Sequence, residues 1–169
     1  MTGMARLEAA ADRQEIADLI YRYCRAMDRM DHEQGYAIWH EDGLADYGPD
    51  VFQGTGRGFI DWVCESHKHV DAHSHQISNV VIEVDGDRAG SEAYVTATLR
   101  SQRDGKHMQM TVWSRYIDQW SKRSGRWGID SRVTVMDFDE VREVMPMKQH
   151  TQARRDPGDP SYAAVKGLR

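Results

Sequence analysis

The hydrophobic period of the sequence changes once, close to residue 73, and this change limits the folds that the chain can adopt. Before that point, apolar residues recur three and four positions apart, as on one face of an α-helix. After it, apolar and polar residues alternate in long runs, as in half-buried β-strands. Helices that come first and strands that come after indicate an α+β domain.

The helical half contains three predicted helices and one short strand. Asp12 and Glu15 have the spacing of a capping box, and apolar residues follow at helical spacing from Ile16 to Met27. We therefore expect a first helix that begins at Asp12 and runs for about five turns. The later elements are a short helical pattern at 36–39, a strand at 44–47, a Gly-rich loop at 54–58 and a third helix at about 59–68.

The second half predicts an antiparallel meander, because long alternating runs are joined by tight turns. The alternating runs cover 80–84, 93–99, 108–120 and 127–138, with turns at Asp85-Gly86-Asp87, Asp104-Gly105 and Ser124-Gly125-Arg126. Residues from Met145 onward show turn chemistry and little periodicity. We expect a single domain over 1–144 and a C-terminal arm over 145–169, which either packs on a neighbouring subunit or stays mobile.

Composition and charge exclude several classes of partner. The 169 residues carry a net charge of −5 and have a pI near 5.9, so there is no basic excess to bind nucleic-acid phosphates. No apolar run approaches the roughly 18 residues of a membrane span, and the N-terminus lacks the apolar stretch of a signal peptide. Cys24 and Cys64 lie in apolar helical contexts, so we expect reduced core thiols in a cytoplasmic protein.

Histidines form the densest group of reactive side chains. Four of the eight histidines fall between His67 and His75. His73 and His75 would share one face of a strand, a geometry that can hold a metal ion. The cupin version of that motif requires a Glu about four or five residues later, where Asn79 stands here. We therefore expect no metal.

Two charged residues, Asp28 and Arg132, are candidates for side chains that line a pocket. Asp28 lies on the shoulder of the predicted first helix, where its carboxylate can turn toward a pocket edge or remain solvated. A His–Asp pair is chemically useful because the carboxylate fixes the imidazole tautomer. Spacing alone does not show that Asp28 meets His75. Arg132 lies in the middle of a predicted strand, where it is either a surface residue or a ligand for an anion or phenolate.

Three segments resemble SnoaL-like members of the nuclear transport factor 2-like superfamily. They are Ile16–Asp28, His73–Asn79 and Gly125–Ile129, within a resemblance that runs from about residue 6 to about residue 138. The resemblance implies a cone-shaped, strongly curved antiparallel sheet. The N-terminal helices would close its concave face over an apolar pocket.

The resemblance also implies roles for individual residues. Hexachlorocyclohexane dehydrochlorinase and bile-acid 7α-dehydratase use a His–Asp dyad without metal or organic cofactor. Their dyad Asp matches Asp28, their dyad His matches His75, and a Tyr of the dehydratase matches Tyr23. The other site residues that we expect are Arg132 for catalysis and Tyr47, Trp39, Met27 and His73 for substrate binding.

The function implied is a cofactor-independent lyase that acts on a hydrophobic aromatic small molecule. It would remove water, formaldehyde or both, as in the deformylation of lignin-derived diarylpropanes. Two alternatives are a non-catalytic ligand-binding protein and the small subunit of an aromatic-ring dioxygenase. Because members of this fold commonly associate through the convex sheet face, we expect a homodimer or homotrimer. Its outward-facing residues would include Tyr94, Trp113 and Ile117.

Overall fold

A computed structural model describes residues 3–165 and shows helices packed against one curved, open, six-stranded sheet. The helices are α1 (Gly3–Arg29), α2 (His32–Ala37), α3 (Gly56–Ser66) and α4 (Ser161–Ala164), with a 3-10 turn at His67–His69. The strands are β1 (Trp39–Asp46), β2 (Gln53–Thr55), β3 (Ala72–Asp85), β4 (Arg88–Arg103), β5 (Lys106–Arg123) and β6 (Arg126–Glu143). This arrangement confirms the predicted α+β class.

The strand order is β2-β1-β6-β5-β4-β3, and the last four strands form the predicted meander. Two of its turns have positive φ at both central residues, 51° and 76° at Asp104 and Gly105 and 52° and 78° at Ser124 and Gly125. These are the angles of type I′ turns, which match the twist of a hairpin. The sheet is mixed rather than wholly antiparallel, because β1 pairs with β6 in parallel. The parallel pairing is possible because a long connection separates the two strands.

Helix α1 begins at Gly3, so the capping box predicted at Asp12 is wrong. The Asp12 carboxylate instead accepts hydrogen bonds from Lys122 Nζ at 2.7 Å and Trp127 Nε1 at 2.9 Å. It therefore fixes the middle of the helix to the β5–β6 turn region. The helix ends in a left-handed residue, Met30, with φ 52°. Helix α1 packs against β3.

The segment from β1 to α3 also differs from expectation. Strand β1 begins at Trp39, earlier than the predicted strand. The Gly-rich segment is not a loop: it completes β2 and begins α3, whose first turn is capped by Thr55 Oγ1 accepting the Gly58 N–H at 3.0 Å. A Cβ atom at Gly56 would lie 2.1 Å from Trp39 Cδ2. Only glycine lets the start of α3 approach the indole so closely.

The outer face of the sheet carries exposed apolar side chains. Tyr94 is 41% exposed, and the rings of Trp113 and Phe138 stack with centroids 4.7 Å apart. Ile117 lies on the same face, since it alternates with the buried Tyr116 along β5. Association through this face stays a prediction.

The C-terminal arm docks on its own chain. Tyr162 Oη donates to Asp31 Oδ2 at 2.6 Å, and the Arg25 guanidinium lies 4.4 Å from the centroid of the Tyr162 ring. The arm thus has an arrangement that was not expected, while contact with a neighbouring subunit stays a prediction. Residues 166–169 of the predicted arm lie outside the described residues. Among residues 3–165, none of the helices is both long enough and apolar enough to cross a membrane.

Candidate active site

Asp28 and His75 form a hydrogen-bonded pair between the last turn of α1 and the start of β3. Asp28 Oδ1 lies 2.8 Å from His75 Nδ1 and 3.0 Å from the backbone nitrogen of His75. The side chains are 16% and 9% exposed, so the pair is largely shielded from water. A carboxylate partner requires the proton to be on Nδ1, which leaves the lone pair on Nε2. The arrangement therefore suits a general base.

His75 lines a cavity of about 460 Å³ between the inner face of the sheet and helices α1 and α3. This volume is in the range of small-molecule sites. Most of the wall is apolar or aromatic. The aromatic and polar residues that line it include Tyr23, Tyr47, Phe59, Trp62, His67, Ser114, Tyr116 and Thr134, and Met27 is one of three methionines in the wall.

A pair of buried tyrosines forms one wall of the cavity. The hydroxyls of Tyr23 and Tyr47 lie 2.5 Å apart, and the Tyr47 ring stacks on Phe59 with centroids 3.7 Å apart. Burial raises the pKa of both Tyr23 and Tyr47. Both phenols therefore keep their protons at neutral pH. One hydroxyl donates to the other, and the second proton remains available to a ligand.

Arg132 is not among the residues that line the cavity, and its catalytic role stays a prediction. Its Nε and Nη2 each donate to Asp118 at 2.7 Å, and both side chains are fully buried. The guanidinium lies against both Tyr23 and Tyr116, at 4.2 Å and 3.9 Å from their ring centroids. Arg132 therefore lies behind the tyrosines. Its charge opposes the effect of burial on the pKa of Tyr47.

The four predicted substrate-binding residues have different positions. Met27 and Tyr47 line the cavity. Trp39 does not: it is fully buried, because its indole packs against the start of α3. His73 is also absent from the wall, although it shares a face of β3 with His75. Its Nε2 is instead hydrogen-bonded to the Met27 carbonyl oxygen, at 3.0 Å.

His67 lines the cavity instead of His73. Its ring centroid lies 4.8 Å from that of His73 and 6.4 Å from that of His75. Burial is the main cause that lowers the pKa of His67 to about 4, and the two neighbouring histidines add to it. His67 is therefore neutral at pH 7. The clustering of histidines in the sequence could have indicated this neighbour.

Sequence reasoning also missed two polar residues in the cavity wall. Ser114 and Thr134 line the cavity from β5 and β6. The Thr134 hydroxyl is buried and has no hydrogen-bond partner within the described residues. Such a group is costly unless a ligand or water satisfies it. The alternation of side chains along a strand could have predicted that both residues face the inner side of the sheet. Thr134 lies on the same side of its strand as Arg132, and Ser114 lies on the same side as Tyr116.

The cysteines are structural. Burial raises the pKa of the Cys24 thiol to about 12 and that of Cys64 to about 11, so neither is a thiolate at neutral pH. Within residues 3–165, no three His, Cys, Asp or Glu side chains come together in a group that could hold a metal ion.

A family model described as a SnoaL-like domain matches residues 8–133. The chain belongs to the SnoaL-like family. No curated protein sequence matches it significantly. One solved neighbour, from Novosphingobium aromaticivorans, is described as an NTF2-like protein with a cystatin-like fold.

Three solved structures illustrate the similarity. A hexachlorocyclohexane dehydrochlorinase from Novosphingobium barchaimii has a TM-score of 0.73 and 15% identity, over 86% of this chain and 99% of that one. A putative scytalone dehydratase from Novosphingobium aromaticivorans has a TM-score of 0.68 and 22% identity, over 84% and 97%. Kfla4162 from Kribbella flavida has a TM-score of 0.70 and 21% identity, over 78% and 95%. At these identities the likeness establishes the fold.

Proposed function

We propose that this SnoaL-like protein is a metal- and cofactor-independent lyase for a hydrophobic aromatic small molecule. The observation that carries the proposal is the Asp28–His75 pair in the wall of an apolar cavity, with Nε2 of the imidazole free to accept a proton. A shielded His–Asp pair is suited to remove a proton from a bound substrate near neutral pH.

In the first half of the reaction, His75 Nε2 takes a proton from the substrate. The Asp28 carboxylate holds Nδ1–H and stabilises the imidazolium that forms. The pair is largely shielded from water, with 9% of the His75 side chain and 16% of the Asp28 side chain exposed, which strengthens this electrostatic stabilisation. The step needs no redox partner, because a proton moves and no electrons leave the substrate.

The Tyr23–Tyr47 pair would assist the departing group. Both tyrosines line the cavity and keep their phenolic protons, so one of them can donate a proton or hydrogen bond to a leaving hydroxyl. The Arg132 guanidinium behind them stabilises the negative charge that develops on the pair. In this role Arg132 is a positioning residue that acts through the tyrosines.

A para-hydroxyaryl substrate gives a balanced reaction. Loss of a benzylic hydroxyl as water, with loss of the phenol proton, forms a quinone methide. Removal of the O–H proton of a neighbouring hydroxymethyl group then breaks a C–C bond and releases formaldehyde. The electron pair of that bond forms a C=C bond and restores the phenol. Two structural neighbours, a dehydrochlorinase and a putative scytalone dehydratase, bear names of elimination enzymes.

The experiment is an anaerobic, metal-free incubation with hydroxylated diarylpropanes and related aryl alcohols. We expect products lighter by about 18 mass units for water, or about 48 for water plus formaldehyde. Activity should be lost in His75→Ala and in the milder His75→Gln. His69→Ala is the matched control, since His69 is an exposed histidine outside the cavity.

Each alternative function has a distinct outcome. Tight binding of the same compounds that persists in His75→Ala, without turnover by the wild type, would replace the lyase with a binding protein. Isolation with a large iron–sulfur subunit would favour a dioxygenase small subunit. We also propose a cytoplasmic homodimer or homotrimer joined through the outer sheet face. A solution mass near the 19.4 kDa of one chain would contradict that assembly.

A further inference from the structure

The C-terminal arm places an arginine beside the candidate site. The Arg155 guanidinium donates to the carbonyl oxygens of His67 at 3.1 Å and Val70 at 2.7 Å, and it lies 3.2 Å from His73 Nδ1. The arm is held in place by Tyr162, which donates to Asp31. One side chain therefore ties the arm to the 3-10 turn and to the start of β3.

Arg155 determines which protonation state and tautomer of the His73 imidazole is compatible with its surroundings. His73 Nε2 lies 3.0 Å from the Met27 carbonyl oxygen, which can only accept, so Nε2 carries the proton. Nδ1 must then accept from Arg155, which can only donate. A second proton would lie on Nδ1, where its N–H group would face the N–H groups of the Arg155 guanidinium, and the two positive charges would repel each other. The arginine thus holds His73 as the neutral Nε2–H tautomer.

The neutral state of His73 matters because three imidazoles lie close together beside one carboxylate, Asp28, which is hydrogen-bonded to His75. The ring centroid of His73 lies 6.0 Å from that of His75 and 4.8 Å from that of His67. The charged and titratable groups that face His73 are Asp28 from α1, His67 from the 3-10 turn, His75 from β3 and Arg155 from the arm. The field of Asp28 favours a proton on His73, and Arg155 opposes it.

We propose that Arg155 is a positioning residue that keeps His73 neutral and fixes the His67–Val70 segment. The Asp28 carboxylate then remains hydrogen-bonded to His75 and is not drawn to His73. This inference rests on the proposed function, in which His75 is the base. Burial is the largest cause of the lowered pKa of His73, and the charge of Arg155 is the second. The same charge also lowers the pKa of His67.

The first test is a histidine titration by NMR and does not require a substrate. In Arg155→Met we expect the pKa of His73 to rise, because a neighbouring positive charge is removed. Arg155→Lys should keep the pKa near the wild-type value. Lys148→Met removes an exposed cation from the same arm and should leave His73 unchanged. An unchanged His73 pKa in Arg155→Met, or an equal rise in Lys148→Met, would overturn the proposal.

The second test is the pH profile of kcat/KM once a substrate is found. In Arg155→Met the acid limb should move to higher pH, because His73 takes up a proton and competes for Asp28. Arg155→Lys should restore the profile, and KM at pH 8 should be unaffected. A wild-type profile in Arg155→Met would overturn the positioning role. Absence of any substrate would count against the proposed function, while the NMR titration would still decide the role of Arg155.

Discussion

Asp28 holds His75 at two points, accepting the imidazole Nδ1–H at 2.8 Å and the backbone N–H at 3.0 Å. The first contact selects the tautomer, and the second fixes the strand that carries the ring to the end of α1. Because both contacts come from one carboxylate, the orientation of the proposed base depends on the helix–strand packing. The site is therefore built by the fold rather than by a flexible loop.

Asp28→Asn should remove most of the activity while the protein remains folded. The amide can no longer stabilise a positively charged imidazole, and it can favour the wrong tautomer of His75. We expect kcat to fall by about 10²–10⁴-fold with little change in KM. Asp18→Asn is the control in the same helix, because the Asp18 carboxylate is exposed and accepts from Gln14 Nε2 at 3.0 Å, away from the cavity. Steady-state kinetics with circular dichroism of both variants checks this expectation.

The Tyr23 and Tyr47 hydroxyls should contribute to the unfolding free energy as a coupled pair. Tyr23→Phe and Tyr47→Phe each leave a buried hydroxyl without its partner, at a cost of about 1–3 kcal/mol in unfolding free energy. Tyr23→Phe/Tyr47→Phe should therefore be less destabilised than the two single effects combined. Urea unfolding of the three variants measures the coupling. Additive effects would show that the 2.5 Å contact is not an energetic pair.

The buried Arg132–Asp118 pair should be sensitive to loss of either member. Asp118→Leu or Arg132→Met leaves an uncompensated buried charge and should cost about 3–5 kcal/mol. The combined variant should recover part of that loss, since no buried charge remains. Arg88→Met, which removes a 76% exposed partner of Asp130, is the control and should change stability by less than about 1 kcal/mol. Equal losses of unfolding free energy in the buried and exposed variants would show that burial does not set the cost of losing a charged partner.

The elements with regular periodicity were predictable from the sequence. The meander strands and their turns lie where alternation and the Asp-Gly and Ser-Gly pairs indicate. The start of α1 was not predictable, because the same Asp12 that looks like a helix cap bonds to Lys122 and Trp127, which are distant in sequence. A local pattern cannot distinguish a cap from a long-range partner.

The candidate site was predictable only in part for the same reason. Asp28 and His75 could be named from the resemblance, but their contact depends on how α1 lies on β3. The position of Arg132 depends on Asp118, a charged residue within the buried face of β5 that requires a partner. Arg155 gave no signal, because the arm that carries it lacks periodicity and its docking is purely tertiary.

Protein stability should fall as the pH drops from 6.5 toward 4. The folded state lowers the pKa of His67 from 6.5 to about 4, so the unfolded chain binds more protons in this window. The stabilisation is complete above 6.5 and is lost as pH falls through the window. His67→Gln should therefore show a shallower decline of unfolding free energy than wild type. His69→Gln, at an exposed position, should follow the wild type in urea titrations between pH 7 and about pH 4.5.

Thr134→Val should weaken substrate binding without lowering the unfolding free energy. Thr134 lines the cavity, and its buried hydroxyl has no hydrogen-bond partner among residues 3–165, so its removal should leave the unfolding free energy unchanged or raise it by up to about 1 kcal/mol. If the hydroxyl binds a polar group of the substrate, KM should rise by about tenfold while kcat is maintained. Thr98→Val, on the outer side of β4, is the matched control and should alter neither constant. An unchanged KM in Thr134→Val would show that the substrate makes no hydrogen bond to this hydroxyl.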